Sequence, residues 1–197
     1  MRYPADHKEE TRAQILAEAA KQIRAHGPDG VGVADIMKRA GLTHGGFYAH
    51  FKSKDALVAA AIDTMFESAK RRWEHETAGK TAKHALAAYI RFYLSEEHRD
   101  ARSTGCPIAA LASDMPRMTA TCKKAYAAGT RRLTERVAER LNELGHPDPD
   151  ILAASVVAEC VGAVALARVE PDADRSTAIL HASRRALHTR LSLGAVS

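Results

Sequence analysis

The chain is poor in strand signals, cysteine, aromatic rings and long apolar runs, and each shortage removes a class of answer. No stretch alternates β-branched with polar residues, so nothing in it reads as a sheet. Three cysteines, an odd number among 197 residues, do not make a disulfide framework and fit a reducing compartment. No uninterrupted apolar run reaches the roughly 18 residues that cross a bilayer. The opening stretch, Met1 to Glu10, lacks the apolar core of a secretion signal. These absences point to a cytoplasmic protein without a membrane partner. The sequence also lacks a phosphate loop, a nucleophile elbow and a Cys/His array, so we expect no enzyme, no cofactor and no metal. Glu96, Glu97 and Glu159 read as surface or interface carboxylates. The formal net charge of +5 leans towards polyanions but says little about specificity.

What remains is rich in alanine, arginine, leucine and glutamate, the composition of an all-α protein, and the segments along the chain mark about nine helices. Ile15, Leu16, Ala19, Ala20 and Ile23 mark a first helix over about 8–26, stopped by Gly27-Pro28. Val33, Ile36, Met37 and Ala40 mark a short second one, ended by Gly41. A third short helix follows, capped by Thr43, and Ser53 caps the long helix after it, which runs to about Thr77. The first three helices form a compact unit of about 55 residues. Two short helices joined by a glycine-containing turn are the helix-turn-helix arrangement, whose second helix enters the DNA major groove.

The stretch Gly41-Leu42-Thr43-His44-Gly45-Gly46-Phe47-Tyr48-Ala49-His50-Phe51-Lys52-Ser53-Lys54 carries most of the information. Phe47 and Phe51 are four apart and share a side facing the core. Two helical glycines cost about 1 kcal/mol each relative to alanine, so a helix built only for stability would not carry them. They suit a backbone that must come close to something large. Thr43, His44, Tyr48, His50, Lys52 and Lys54 surround them with groups that bond phosphates or base edges. Ordinary solvated surface histidine is the plain alternative for His44 and His50. In this run and in helix order, residues 11–54 resemble the DNA-binding domain of TetR/AcrR-type transcriptional regulators.

That resemblance implies an N-terminal DNA-binding domain, 1–54, and a larger helical ligand-binding and dimerisation domain, 55–197. It places His44, Gly45 and Gly46 against the bases and Tyr48 against the backbone or a base edge. Thr43, His50 and Lys54 match positions that hold phosphates. Two departures stand out: Ala34 replaces a position where some members carry a base-reading polar side chain, and Gly32 stands where a threonine cap is common. With few direct base contacts, part of the specificity would come from DNA shape. The family also implies a homodimer on a palindromic operator, a repressor released by a small, partly apolar effector.

Beyond residue 54 the residues speak less directly. Lys70-Arg71-Arg72-Trp73-Glu74 reads as a solvated helix face, with DNA contact as the alternative. A helix over about 81–98 gathers Leu86, Tyr89, Ile90, Phe92, Tyr93 and Leu94. With Phe66, the rings of Tyr89, Phe92 and Tyr93 are candidate ligand contacts, hydrophobic core being the alternative. Cys106 precedes Pro107, which suits the first position of a short helix, so the thiol would sit at its N-cap. It is a further candidate ligand contact, and a redox- or electrophile-sensing regulator triggered there is the alternative function. A small buried cysteine is the bland reading; Cys122 and Cys160 read as packing. A long charged helix is expected over about 117–144. The next, about 150–169, is apolar nearly all round. Glu159 and Arg168 interrupt it too much for a good membrane span, so protein must bury it, either within one monomer or in a subunit interface. The interface is expected, because the last helix, about 175–193, is also amphipathic and the pair resembles the family's four-helix dimer interface.

Overall fold

The computed structural model describes residues 4–194; residues 1–3, part of the stretch weighed for a secretion signal, and 195–197 lie outside them. Every element among the described residues is helical. In chain order these are α1 (Pro4–His26), α2 (Val33–Arg39), a 3-10 helix (His44–Ala49), α3 (Lys54–Thr77), α4 (Ala82–Tyr93) and α5 (Glu96–Asp100). Then come α6 (Pro107–Leu111), a 3-10 turn (Met115–Arg117), α7 (Ala120–Glu143), α8 (Pro149–Val169) and α9 (Ala173–Arg190). The chain divides into two compact units, Met1–Ser68 with Cys106–Gly129, and Ala69–Gly105 with Thr130–Ser197.

In the first unit the apolar stripe of α1, Ile15, Ala19, Ala20 and Ile23, is buried, as are Ile36 and Met37 of α2, which packs on α1. α2 ends as its sequence dictates. Gly41 takes φ +72°, Gly41 N–H donates to Lys38 O and Leu42 N–H to Met37 O, a paired bond pattern that only a left-handed residue allows without strain. The third short helix is not α-helical but 3-10, with Gly46 N–H on Thr43 O and His50 N–H on Phe47 O. Two adjacent glycines offer little support for a regular α-turn, and a short tight helix serves instead. Phe66 lies edge-on to Tyr126, and Gly129 sits directly beside its ring: a Cβ there would stand 2.1 Å from Phe66 Cδ2.

The second unit departs from expectation at one place. The stretch over 81–98 is two helices, not one. Ser95 breaks it: its hydroxyl donates to Phe92 O at 2.7 Å and accepts from His98 N at 3.1 Å, replacing the backbone bonds a continuous helix would need. α8 is, among the described residues, the helix long and apolar enough by length and composition alone to cross a membrane, a test that a core helix of a soluble protein also passes. Only 39% of its most apolar stretch is buried within the chain. Both interrupting charges are tied to neighbouring elements. Glu159 pairs with Arg190 of α9 at 2.9 Å, and Arg168 donates to the carbonyls of Arg99 and His98. α9, capped by Asp172, is the helix α8 packs on most extensively.

His98 is buried at the break between α4 and α5, against the rings of Tyr93 and Phe92, with Nδ1 2.7 Å from Tyr93 O. Burial pushes its pKa down to about 4, with the positive charges of Arg168 and Arg72 adding to the effect. The ring is therefore neutral in the fold at neutral pH and donates to Tyr93. Because the unfolded chain binds this proton near pH 6.5 and the folded one only near 4, stability rises with pH across that window. On acidification from pH 6.5 to 4, His98 should withdraw up to about 3 kcal/mol of stability. Urea unfolding of the wild type and His98→Phe at pH 7 and about pH 4.5 checks this. The wild type should lose more stability than the variant; equal losses would remove His98 from the account.

Candidate nucleic-acid interface

The face carrying the motif is set from below. Phe47 and Phe51 are buried, their rings stacked at 5.8 Å between centroids. The Arg12 guanidinium of α1 lies 4.1 Å over the Phe51 ring and donates to the His50 carbonyl. Gln14, also on α1, donates to Ala40 O at 2.8 Å. With both phenylalanines pinned inward, Thr43, His44, Gly45, Tyr48 and Lys52 face outward. Tyr48 is 71% exposed, an unusually bare ring for a phenol with an apolar body.

The glycines are informative because the protein does not require them. A Cβ built at Gly45 meets nothing within 4 Å, and one at Gly46 meets only Met37 Cε at 3.7 Å and Thr43 Oγ1 at 3.9 Å. Internal packing therefore gives no reason for either residue. Thr43 occupies the N-cap of the 3-10 helix without a side-chain capping bond. Gly32 likewise provides no side-chain cap to α2, and Ala34 is exposed. Ser53 caps α3 as expected, its Oγ accepting from Ala56 N at 3.1 Å. Lys54 is the first residue of α3, where helix N–H groups and a positive dipole end favour a phosphate.

His50 is half-buried, and its pKa is lowered by desolvation first, then by the charges of Lys8 and Arg12. Both causes disfavour the charged form of the ring. Its Nδ1 is buried with no hydrogen-bond partner among the described residues. Lys8 and Arg12 were absent from the sequence-based site. The signal was there in their four-residue spacing on α1, which puts both on the side that meets the His50 turn.

The candidate ligand residues separate. Tyr89 and Tyr93 line a small apolar cavity in the second unit, with Leu86 and Ile90 of α4, Leu133 and Val137 of α7, and Val156 and Cys160 of α8. It has water-accessible space of about 10 Å³, room for roughly one water. Phe92 is not part of it: its ring lies under the Arg72 guanidinium at 4.8 Å. Phe66 belongs to the first unit, packed on Tyr126. Cys106 is there too, buried at the N-cap of α6 ahead of Pro107. Arg24, buried on α1 with Nη2 3.1 Å from Met65 O, lies within electrostatic reach of that thiol. Burial lowers the Arg24 pKa to about 10, with Cys106 acting in the opposite direction. Sequence neighbours could not have revealed this cation, which comes from the first helix of the chain.

Residues 15–61 match the family model described as bacterial regulatory proteins of the tetR family, and residues 82–184 that of a transcriptional regulator LmrA/YxaF-like C-terminal domain. The HTH-type transcriptional regulator TtgR of Pseudomonas putida is 37% identical over 68 residues, 34% of this chain and 32% of TtgR. The HTH-type transcriptional repressor Rv3405c of Mycobacterium tuberculosis is 32% identical over 79 residues, 40% of this chain and 42% of that one. The matched segments thus span well under half of these relatives. A TetR transcriptional regulator from Chloroflexus aurantiacus has the same fold with TM-score 0.82 at 28% identity, over 95% of this chain and 96% of that one. Reduced E. coli NemR shares the fold at TM-score 0.81 and 20% identity, over 91% of this chain and 96% of that one. With one family model over the helix-turn-helix and a second over more than half of the chain, the protein belongs to the TetR family of bacterial transcriptional regulators.

Proposed function

We propose that the protein is a homodimeric repressor, acting in the cytoplasm, whose 3-10 helix His44–Ala49 enters the major groove of a palindromic operator and whose C-terminal part takes a small, partly apolar effector. The observation that carries the DNA assignment is the bare Gly45 position beside exposed Tyr48, a backbone kept open where nothing in the protein fills the space. His44, Gly45 and Gly46 face the bases, Tyr48 lies along the backbone, and Thr43, His50 and Lys54 hold phosphates. The dimer rests on α8, whose Ile151, Leu166 and Val169 are all more than half exposed in the single chain. Two such heads on a two-fold axis read half-sites separated by whole helical turns. The effector acts by preferring one dimer shape over another. A coupling of about 1–3 kcal/mol changes operator affinity some 5- to 150-fold. The effector site we assign is the apolar cavity lined by Tyr89 and Tyr93, which has to enlarge beyond its space for about one water to admit such a ligand.

A second reading is supported by Arg24, a cation within electrostatic reach of the thiol at the N-cap position of α6: oxidation or alkylation of Cys106 would trigger release.

Each part has its own measurement. Binding to the DNA upstream of the reading frame should weaken at least tenfold in Gly45→Ala and in a His44→Ala/Tyr48→Phe double variant, while helical circular dichroism is unchanged. An alanine at this glycine that binds as the wild type does would remove the close-approach argument. In sedimentation the wild type should run as a dimer and Leu166→Glu as a monomer with weaker operator binding; a dimeric variant would place the interface elsewhere. Peroxide or a quinone should leave operator binding of both wild type and Cys106→Ser untouched if a reversible ligand is the trigger. A response in the wild type that Cys106→Ser abolishes would favour the second reading.

A further inference from the structure

The second unit contains a larger opening that neither the apolar cavity nor the DNA face accounts for. It is a cleft of about 570 Å³ bounded by the turn between α3 and α4, by α4 and by α9. Lys80, His84, Arg91, Arg184 and His188 line it, and no acidic residue among the described residues does. Helical spacing explains the gathering. His84, Ala87, Ala88 and Arg91 recur at three and four on one side of α4, while Arg184 and His188, four apart, share a side of α9. Side chains forming the apolar cavity, Leu86, Tyr89, Ile90 and Tyr93, occupy the other side of α4. One twelve-residue helix is thus the wall between an apolar cavity and a basic cleft.

Two polar atoms at this cleft are left without partners in a way that is costly unless something else supplies them. His188 is only 6% exposed; its Nδ1 reaches Gly194 O at 3.4 Å, but Nε2 has no hydrogen-bond partner among the described residues. Arg184 Nε is buried and likewise lacks one among the described residues. His84 is held differently, with its ring nitrogen 3.0 Å from the Thr81 hydroxyl. A concave site with charge of one sign focuses its field on a counter-ion. Its volume lies in the range of small-molecule sites, and its floor of Ala87, Ala88 and Leu193 is apolar.

We propose that this cleft binds a small organic anion, its negative group held by Arg91, Arg184 and His188 and its apolar body resting on Ala87, Ala88 and Leu193. An oxyanion there accepts from Arg184 Nε–H and, with the His188 ring doubly protonated, from its Nε2–H while Nδ1–H donates to Gly194 O. The site stands apart from the effector cavity proposed above and does not depend on it. Because α4 borders both, occupancy of the one bears on the shape of the other.

Two fluorescent probes of nearly the same body test the assignment: 8-anilinonaphthalene-1-sulfonate, an anion, and N-phenyl-1-naphthylamine, which lacks the sulfonate. The anion should bind saturably at one site per chain and at least tenfold more tightly than the uncharged probe. Arg91→Gln/Arg184→Gln should weaken it at least tenfold, while Arg131→Gln/Arg132→Gln on the exposed side of α7 should leave it unchanged. At fixed ionic strength, 1-naphthoate should displace the anionic probe and inorganic phosphate should not. Equal binding of the two probes, or wild-type affinity in the first variant, would overturn the proposal. Displacement by phosphate alone would overturn its organic-body half. If that variant loses its helical circular dichroism, Lys80→Gln/Arg91→Gln, which changes two exposed residues, is judged by the same tenfold criterion.

Discussion

The outward face of the 3-10 helix depends on where two inward-facing rings go. Phe47 and Phe51 stack in the core, and Arg12 closes over the second while holding the His50 carbonyl. That combination fixes the rotation of a six-residue helix that has almost no stability of its own. A turn or two of helix with adjacent glycines would otherwise fray. Here its orientation is borrowed from the hydrophobic effect acting on one side, which leaves the opposite side free to be chosen for recognition instead of stability. The Schellman-type end of α2 at Gly41 completes the arrangement by fixing the angle at which the chain enters it.

The second unit follows a different rule. α4 presents apolar rings on one side and basic residues on the other, and α8 carries more apolar surface than its own chain covers. Where the backbone of this unit departs from helix, side chains supply the missing bonds. Ser95 serves the break between α4 and α5, Arg168 takes the carbonyls of His98 and Arg99, and Ser176 donates to Ala167 O at 2.6 Å. Such contacts place short helices accurately without lengthening them.

The parts legible in the sequence were those governed by local rules. The caps at Ser53 and Cys106, the stop at Gly41, the periodic stripe of α1 and the outward set around Tyr48 all follow from residues within one or two turns of each other. What was not legible came from distant segments. Arg24 reaches the neighbourhood of Cys106 only through tertiary packing, and the break at Ser95 was hidden because its flanks, Phe92 to Leu94 and Glu96 to His98, continue an acceptable helical pattern. The aromatic cluster misled for a related reason. Tyr89 and Tyr93, one turn apart, reach the cavity, whereas Phe92 points to Arg72 and His98. Composition of a segment says that rings are present; only the helix phase and the neighbours say what they surround.

Gly129 illustrates how misleading a rule of thumb for engineering can be in this chain. A glycine inside a long α-helix is normally the first residue replaced to raise thermal stability, since alanine gains about 1 kcal/mol of helix propensity. Gly162 of α8, where an added methyl meets nothing within 4 Å, fits that recipe in the isolated chain. Gly129 does not: its missing methyl is the space that the Phe66 ring occupies. A stabilisation campaign guided by propensity scales would treat the two alike, and one of its substitutions would wedge apart α3 and α7 where they meet.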